Sequence, residues 1–189
     1  MIFMQLKSRR DRVLLRLVVT AMFMAINILL SMSTFSIPVP GGHLYLNDIV
    51  ISLSSILLGP VYAFVAGGVG AFLGDLFFYP KAMFVSLIVR GLQAVVISVV
   101  SHYVLKKHPI VASGIGVTLG AIINVVGYTF LKPWFYSFVS GSFEAAFADA
   151  VIKLPWQILM AVGGAVIGMI ICWPCGIHKL YDKMFERKY

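Results

Sequence analysis

Long runs of apolar residues recur along this chain, and they constrain its fold more than any other feature of the sequence. The first run, residues 13–32, has the length of about 20 residues that a helix needs to cross a bilayer core. Hydrophobic residues make up 60% of the chain and charged residues 12%. Soluble domains have roughly 45–50% apolar and about 25% charged residues. The sequence therefore predicts an all-α integral membrane protein.

Glycine and proline divide the apolar sequence into six predicted transmembrane helices. Gly59 and Pro60 separate the second helix from the third, because glycine suits a helix end and proline a helix start. The second helix is short, about 20 Å at about 1.5 Å per residue. Residues 33–47 and 132–147 are predicted to be loops, the second of them rich in aromatic residues. The predicted spans, within a single membrane domain of residues 1–189, are 13–32, 46–58, 60–79, 82–104, 110–131 and 148–173.

The basic residues predict how the helices are oriented. The chain has 15 lysines and arginines against 7 acidic residues, a net charge of +8. With six spans and the N-terminus inside, the clusters at residues 7–16, 106–107 and 179–188 all lie in the cytoplasm, as the positive-inside rule requires. We therefore expect a multi-pass protein of a prokaryotic plasma membrane with both termini cytoplasmic. This distribution explains the positive charge without a nucleic-acid partner, and none is predicted.

Polar side chains within the predicted spans mark a candidate binding site. Such groups are costly in lipid and usually face the protein interior or a cavity. Most of them lie in the outer halves of their helices, near the two predicted loops, which indicates an outward-facing pocket. The candidate substrate-binding residues are Tyr45, Asp48, Asp75, Arg90, Gln93, Asn124, Tyr128, Lys153, Trp156 and Gln157.

Each charged candidate also has a structural interpretation. Asp48 suits the start of the second helix, where it would cap free backbone amides. Asp75 and Arg90 are suited to a structural ion pair. Lys153 can extend along its helix to place its ammonium at the membrane surface. For these four residues the sequence leaves both interpretations open.

The uncharged candidates divide into amides and aromatic residues. Asn124 and Gln157 have no charge to pair, which makes them the stronger candidates for ligand contact. Tyr45, Trp134 and Trp156 suit either a belt of aromatic residues at the membrane interface or a stack on a flat ligand ring. The sequence does not decide between these two roles.

Pairs of small residues four positions apart predict close helix packing, because they let two helices approach in lipid. For the glycine pairs we expect packing within the bundle. The alanine pair in the first helix is also suited to contact with a partner protein. These pairs are Ala21 and Ala25, Gly70 and Gly74, Gly116 and Gly120, and Gly164 and Gly168.

Signatures of catalysis are largely missing from the sequence. It has no phosphate-binding G-x-x-x-x-G-K-[ST] loop, no H-E-x-x-H motif and no G-x-S-x-G motif. We therefore predict no catalytic residues, no metal and no cofactor. Cys172 and Cys175 form a C-x-x-C motif at a helix end, so a membrane enzyme with a redox pair is an alternative hypothesis.

Several short motifs follow one another in an order known from one transporter family. They are AMFMA at 21–25, IPVPGG at 37–42, LND at 46–48, LGP at 58–60, VRGLQ at 89–93 and LPWQ at 154–157. In this order, with six spans, the chain resembles the substrate-binding S-components of energy-coupling factor (ECF) vitamin transporters. The closest similarity is to the branch that takes pyridoxine, hydroxymethylpyrimidine or riboflavin.

The resemblance implies a function and a set of partners. An S-component captures a vitamin or vitamin precursor at the outer face, beneath a first loop that here includes Tyr45. Ala21 and Ala25 would contact the transmembrane coupling subunit, and two cytosolic ATPase subunits would hydrolyse ATP. The ligand would be a small aromatic heterocycle, with pyridoxine or hydroxymethylpyrimidine favoured and riboflavin, pantothenate or thiamine open. A stand-alone secondary transporter or channel that uses Asp75 and Arg90 is the alternative.

Overall fold

The computed structural model describes residues 9–31, 37–39, 42–44, 46–104, 107–140 and 142–185. These residues form seven helices and one short hairpin. The elements are α1 (Arg9–Leu30), β1 (Ile37–Val39), β2 (Gly42–Leu44), α2 (Asn47–Leu57), α3 (Pro60–Phe64, Val65–Val69 and Gly70–Phe78), α4 (Met83–Val99 and Val100–Val104), α5 (Pro109–Ser140), α6 (Phe143–Cys172) and α7 (Ile177–Phe185).

Five of the described helices, α1, α3, α4, α5 and α6, are long and apolar enough to cross a membrane. Helix α2 has 11 residues and is therefore about 17 Å long, shorter than the hydrocarbon core of about 30 Å. The chain is thus a helical membrane bundle. A sixth span and the cytoplasmic location of both termini stay predictions.

The prediction of a second loop at residues 132–147 is wrong. Helix α5 continues to Ser140 and α6 begins at Phe143, so both helices are longer than the predicted spans 110–131 and 148–173. Pro133, within the predicted loop, lies inside α5 with its side chain buried. Membrane helices tolerate such a proline where neighbouring groups satisfy the freed backbone. Aromatic contacts join the extended ends, since the rings of Phe130 and Phe147 lie 6.3 Å apart.

The first predicted loop contains an antiparallel hairpin that the sequence analysis did not predict. Strands β1 and β2 pair in the register Ile37 with Leu44, Pro38 with His43 and Val39 with Gly42. Proline is compatible with this arrangement because a strand of a two-stranded ribbon has a free edge. The described residues 37–39 and 42–44 are extended and not helical, as the prolines and glycines of this part of the sequence indicated.

The glycine pairs pack helices against one another inside the bundle. A methyl group added at Gly74 would lie 2.5 Å from Oγ of Ser31, the residue that directly follows α1. One added at Gly164 would lie 2.5 Å from Cβ of Asp48 in α2. The prediction of internal packing is confirmed for all three pairs, which place α3 on α1, α5 on α4 and α6 on α2 through Gly70, Gly74, Gly116, Gly120, Gly164 and Gly168.

A π-helical turn at Val65–Val69 interrupts the regular hydrogen bonding of α3. Asn27 of α1 is fully buried beside it and donates hydrogen bonds from Nδ2 to the carbonyl oxygens of Ala66 and Gly67, each at 3.0 Å. A π turn shifts the regular backbone hydrogen bonds of a helix. The Asn27 side chain therefore supplies hydrogen-bond donors to backbone carbonyl groups within this turn. It also fixes α1 to α3.

Short connections make successive helices from α2 to α6 run in opposite directions. One end of the bundle therefore collects the start of α2, the end of α3, the start of α4, the end of α5 and the start of α6. The hairpin directly precedes α2, so we call this the hairpin end. The sequence places most of its polar membrane residues here.

Candidate binding site in the membrane bundle

A cavity of about 190 Å³ opens at the hairpin end, lined by residues of α2, α3, α4, α5 and α6. Its wall combines apolar residues with charged, amide and hydroxyl side chains. Because lipid-facing positions exclude such groups, their convergence from five helices indicates a site built for a polar solute.

The deepest polar group is a hydrogen-bonded network centred on Asp48, which we call the Asp48 cluster. Oδ1 of Asp48 accepts a charge-assisted hydrogen bond from the Arg90 guanidinium, one of 2.9 Å from Nε2 of Gln93 and one of 2.7 Å from Nδ2 of Asn124. All four side chains belong to buried residues. Donors from α4 and α5 thus meet on one carboxylate of α2, which ties three helices together.

This network corrects two structural interpretations of the sequence. Arg90 forms its ion pair with Asp48, so the pairing of Asp75 with Arg90 was wrong. Asp48 does not cap α2, because that helix has no side-chain cap and its first flanking residue is Leu46. Both errors have the same reason: residues 42 positions apart in the chain come together only when α2 packs on α4.

Asp75 lies at the end of a second chain of hydrogen bonds in the cavity wall. The hydroxyl of Ser86 donates to Oδ2 of Asp75, and the Tyr128 hydroxyl lies 2.7 Å from the same Ser86 oxygen. Since Ser86 has one hydroxyl proton, Tyr128 donates to Ser86. The Arg90 guanidinium carbon lies 5.3 Å from the centre of the Tyr128 ring, within cation–π distance, and so links this chain to the Asp48 cluster.

Two lysines line the cavity nearer its mouth, and we call Lys132 and Lys153 the lysine rim. The ammonium of Lys132 lies 5.6 Å from the centre of the Tyr136 ring. Among the described residues, neither ammonium lies within 4 Å of a carboxylate oxygen, whereas Arg90 does. Lys153 lies in the cavity wall. The sequence had also allowed its side chain to place the ammonium at the membrane surface.

The structure brings together most of the residues that the sequence singled out. Gln93 joins the site through Asp48 rather than by lining the cavity. Gln157 donates a 3.2 Å hydrogen bond to the backbone oxygen of Asn124. The predicted residues in the cavity wall are Asp48, Asp75, Arg90, Asn124, Tyr128, Lys153 and Gln157.

Three of the predicted aromatic residues have a different outcome. Trp156 does not line the cavity and is 42% exposed on the outside of the bundle. It lies about 100° around α6 from Gln157, whereas Lys153 and Gln157, four positions apart, share one face. Trp134 is likewise 55% exposed. Tyr45 lies outside the described residues, so its predicted role in a lid stays a prediction.

Sequence reasoning missed five polar residues in the cavity wall: Asn47, Tyr79, Ser86, Lys132 and Tyr136. Lys132 and Tyr136 were assigned to a loop because α5 was predicted to end at residue 131. In the longer helix they continue the spacing of four that starts with Asn124 and Tyr128, and all four line the cavity. A periodic pattern extended through Pro133 would have found them.

The remaining reactive side chains lie away from this site. Cys172 and Cys175 are free thiols at the far end of α6, with Cys172 buried and Cys175 exposed. Among the described residues, no group of three histidine, cysteine, aspartate or glutamate side chains is placed to hold a metal ion. The cavity itself offers hydrogen bonds and charge, the interactions that recognise an organic molecule.

A polar cavity within a bundle of apolar helices, most of them of membrane length, defines a membrane-embedded binding protein for a small solute. Comparison with known sequences specifies the family. The chain belongs to the family of S components of ECF-type riboflavin transporters, whose sequence model matches residues 13–175. It is therefore a multi-pass membrane protein and the substrate-binding subunit of a vitamin transporter. The resemblance seen in the sequence motifs is confirmed.

The chain is also similar to a protein from Pyrococcus woesei described as an uncharacterized protein in the gap 3′ region. The two sequences are 32% identical over 134 residues, which cover 70% of this chain and 82% of the relative. The description of that relative names no ligand.

Proposed function

We propose that this chain captures a vitamin or vitamin precursor from outside the cell in the cavity at its hairpin end. The observation that carries the proposal is the convergence of polar side chains from five helices on one cavity in an otherwise apolar bundle. The family supports the same role. In this proposal the hairpin end faces outward across a prokaryotic plasma membrane.

The size and lining of the cavity favour a ligand with a single ring, pyridoxine or hydroxymethylpyrimidine. A volume of about 190 Å³ is below the range of about 300–1,000 Å³ that is usual for drug-sized ligands. The amides of Asn124 and Gln157 and the hydroxyl of Tyr128 supply donors and acceptors for ring nitrogens and hydroxyl groups. Riboflavin is the second candidate, because the matching family is described by that vitamin.

Energy for transport would come from partner subunits. The sequence contains no phosphate-binding loop, so ATP hydrolysis is assigned to two cytosolic ATPases joined through a transmembrane coupling subunit. Ala21 and Ala25 are exposed on α1. Small side chains there leave room for the close approach of a partner helix.

Mass spectrometry of small molecules released from the detergent-purified chain tests the proposed site. Ala150 lines the cavity, and Ala148 lies exposed on the same helix. Ala150→Phe fills the cavity, whereas Ala148→Phe adds the same ring outside it. We expect one vitamin-sized compound, at equal molar amount, with the wild type and Ala148→Phe but not with Ala150→Phe.

Titration calorimetry with pyridoxine, hydroxymethylpyrimidine and riboflavin completes this test. Binding that Ala150→Phe abolishes and Ala148→Phe preserves would support the cavity as the site and identify the ligand. A chain that releases no compound and binds none of the three would contradict the proposal. Equal loss in both variants would contradict the location.

The coupling surface has a separate test. Ala25→Trp adds a large ring on the exposed face of α1 and is expected to reduce co-purification with the coupling subunit strongly, with ligand binding unchanged. Val166→Trp, at an exposed position of α6, is the control. Uptake into liposomes that contain this chain without ATPases would favour a stand-alone transporter instead.

A further inference from the structure

The charges that line the cavity do not balance. Two carboxylates, Asp48 and Asp75, face three cations, Arg90, Lys132 and Lys153. The Asp48 carboxylate and the Arg90 guanidinium compensate each other in a direct ion pair. One carboxylate then remains for two ammonium groups.

The remaining carboxylate does not form a close ion pair with either lysine. Asp75 accepts its hydrogen bond from Ser86, and in the described part of the chain no carboxylate oxygen lies within 4 Å of the ammonium of Lys132 or Lys153. Asp149 is a further carboxylate with an electrostatic effect on Lys132, but it is exposed and does not line the cavity. Lys153 is therefore the cavity cation with the least compensation.

An ammonium without a close counter-ion in a membrane bundle is costly, because the surroundings replace little of the hydration that it loses. Lys153 and Gln157 lie four positions apart on α6 and both line the cavity. A ligand bound between α5 and α6 therefore meets an amide and two cations. The cavity supplies no carboxylate close to these two cations, so a ligand with a negative charge would complete the pairing.

We propose that the cavity prefers, over neutral pyridoxine and hydroxymethylpyrimidine themselves, a related ligand with a negatively charged group, a carboxylate or a phosphate, which binds Lys153 with Lys132 beside it. This inference rests on the proposed function, since it concerns the ligand of the same cavity. Charge-assisted hydrogen bonds are stronger than those between neutral groups. An anionic ligand is therefore expected to bind roughly tenfold or more tightly than its neutral counterpart.

Pairs of compounds that share a ring and differ in charge test the proposal. The pairs are pyridoxine and 4-pyridoxate, hydroxymethylpyrimidine and its phosphate, nicotinamide and nicotinate, and riboflavin and its 5′-phosphate. Each is titrated into the purified full chain in nanodiscs of phosphatidylcholine. We expect at least one pair to bind, with the anionic member preferred by about tenfold or more.

Substitutions of Lys153 test whether this residue causes the preference for anionic ligands. Lys153→Gln keeps a hydrogen-bonding side chain but removes the charge, and is expected to reduce the preference to about one. Lys153→Arg keeps the charge and should retain most of it. Lys81→Gln removes the same charge at an exposed turn outside the cavity, between α3 and α4, and should change nothing.

Three results would overturn the proposal. If neutral members bind as tightly as anionic ones, the inference fails while the proposed function stands. If no compound binds, the proposed function fails with it. If the anionic preference of the wild type disappears once phosphatidylglycerol is added to the nanodiscs, Lys153 binds a lipid phosphate instead of the ligand.

Discussion

The Asp48 cluster and the lysine rim lie in one cavity but differ in how their charges are satisfied. In the Asp48 cluster, three donors converge on one carboxylate oxygen and the cation is paired. In the lysine rim, two ammonium groups have no carboxylate within 4 Å among the described residues. A network whose charges are paired holds helices together, whereas charges without a close counter-ion have capacity for a ligand. The inner part of the site is therefore expected to control stability, and the outer part to control binding.

The largest expected effect is the loss of Arg90 from the Asp48 cluster. Arg90→Met leaves the buried Asp48 carboxylate without its cation, and removing one partner of a buried ion pair costs about 3–5 kcal/mol of unfolding free energy. Lys153→Met is the matched control, because no comparable pair is broken there. Denaturant titration in detergent, followed by tryptophan fluorescence, measures both.

A double substitution sharpens this test. Asp48→Asn combined with Arg90→Met removes both charges and should recover part of the stability lost in Arg90→Met alone. Equal destabilisation by Arg90→Met and Lys153→Met would show that the two parts of the cavity do not differ in the way proposed.

A smaller effect is expected where α6 supports Asp48. Gly164→Ala places a methyl group 2.5 Å from Asp48 Cβ and should cost about 1–3 kcal/mol through overpacking. At the neighbouring Gly163, an added methyl group meets no atom within 4 Å. Gly163→Ala should therefore be neutral or stabilising by up to about 1 kcal/mol. Glycine loses more conformational freedom than alanine when a helix forms, so alanine favours the folded helix.

The same denaturant titration compares the two glycine variants. Loss of stability in both would place the destabilisation in α6 itself rather than in its contact with Asp48. Loss in Gly164→Ala alone would show that close packing of α6 on α2 maintains the Asp48 cluster.

The smallest effect concerns one hydrogen-bonding side chain of the cavity wall. Gln157→Ala removes an amide from the cavity wall, and a single hydrogen bond is worth about 0.5–1.5 kcal/mol, so ligand affinity should fall by roughly two- to tenfold. Trp156→Leu, at the adjacent exposed position, should leave affinity unchanged. Titration calorimetry in detergent distinguishes the two, and a loss in Trp156→Leu would place the ligand on a different face of α6.

Local sequence rules predicted the helices well where composition and breaking residues agreed. Gly59 and Pro60 separate α2 from α3 as expected, and the glycine pairs mark real helix contacts. The rules failed at Pro133, because a proline ends most helices in water but is accommodated in this buried position of α5. That one error removed Lys132 and Tyr136 from the predicted site.

The partners of the charged residues were beyond prediction from the sequence. Asp75, Arg90 and Asp48 were all recognised as polar membrane residues, but their pairing depends on which helices pack side by side. The sequence spacing between Asp48 and Asn124 is 76 residues. No local pattern encodes a contact at that separation.

The sequence by itself determined the membrane environment, the family motifs and the end of the bundle at which polar residues gather. Those features follow from composition and from helical and charge patterns that act over a few residues. Only the tertiary structure decided that Arg90 pairs with Asp48, that Trp156 faces outward, and that Lys132 joins Lys153 at the cavity. The physical reason is that hydrogen bonds and ion pairs between helices depend on how the helices pack and how each is rotated about its axis. Packing and rotation are set by contacts between residues far apart in the sequence.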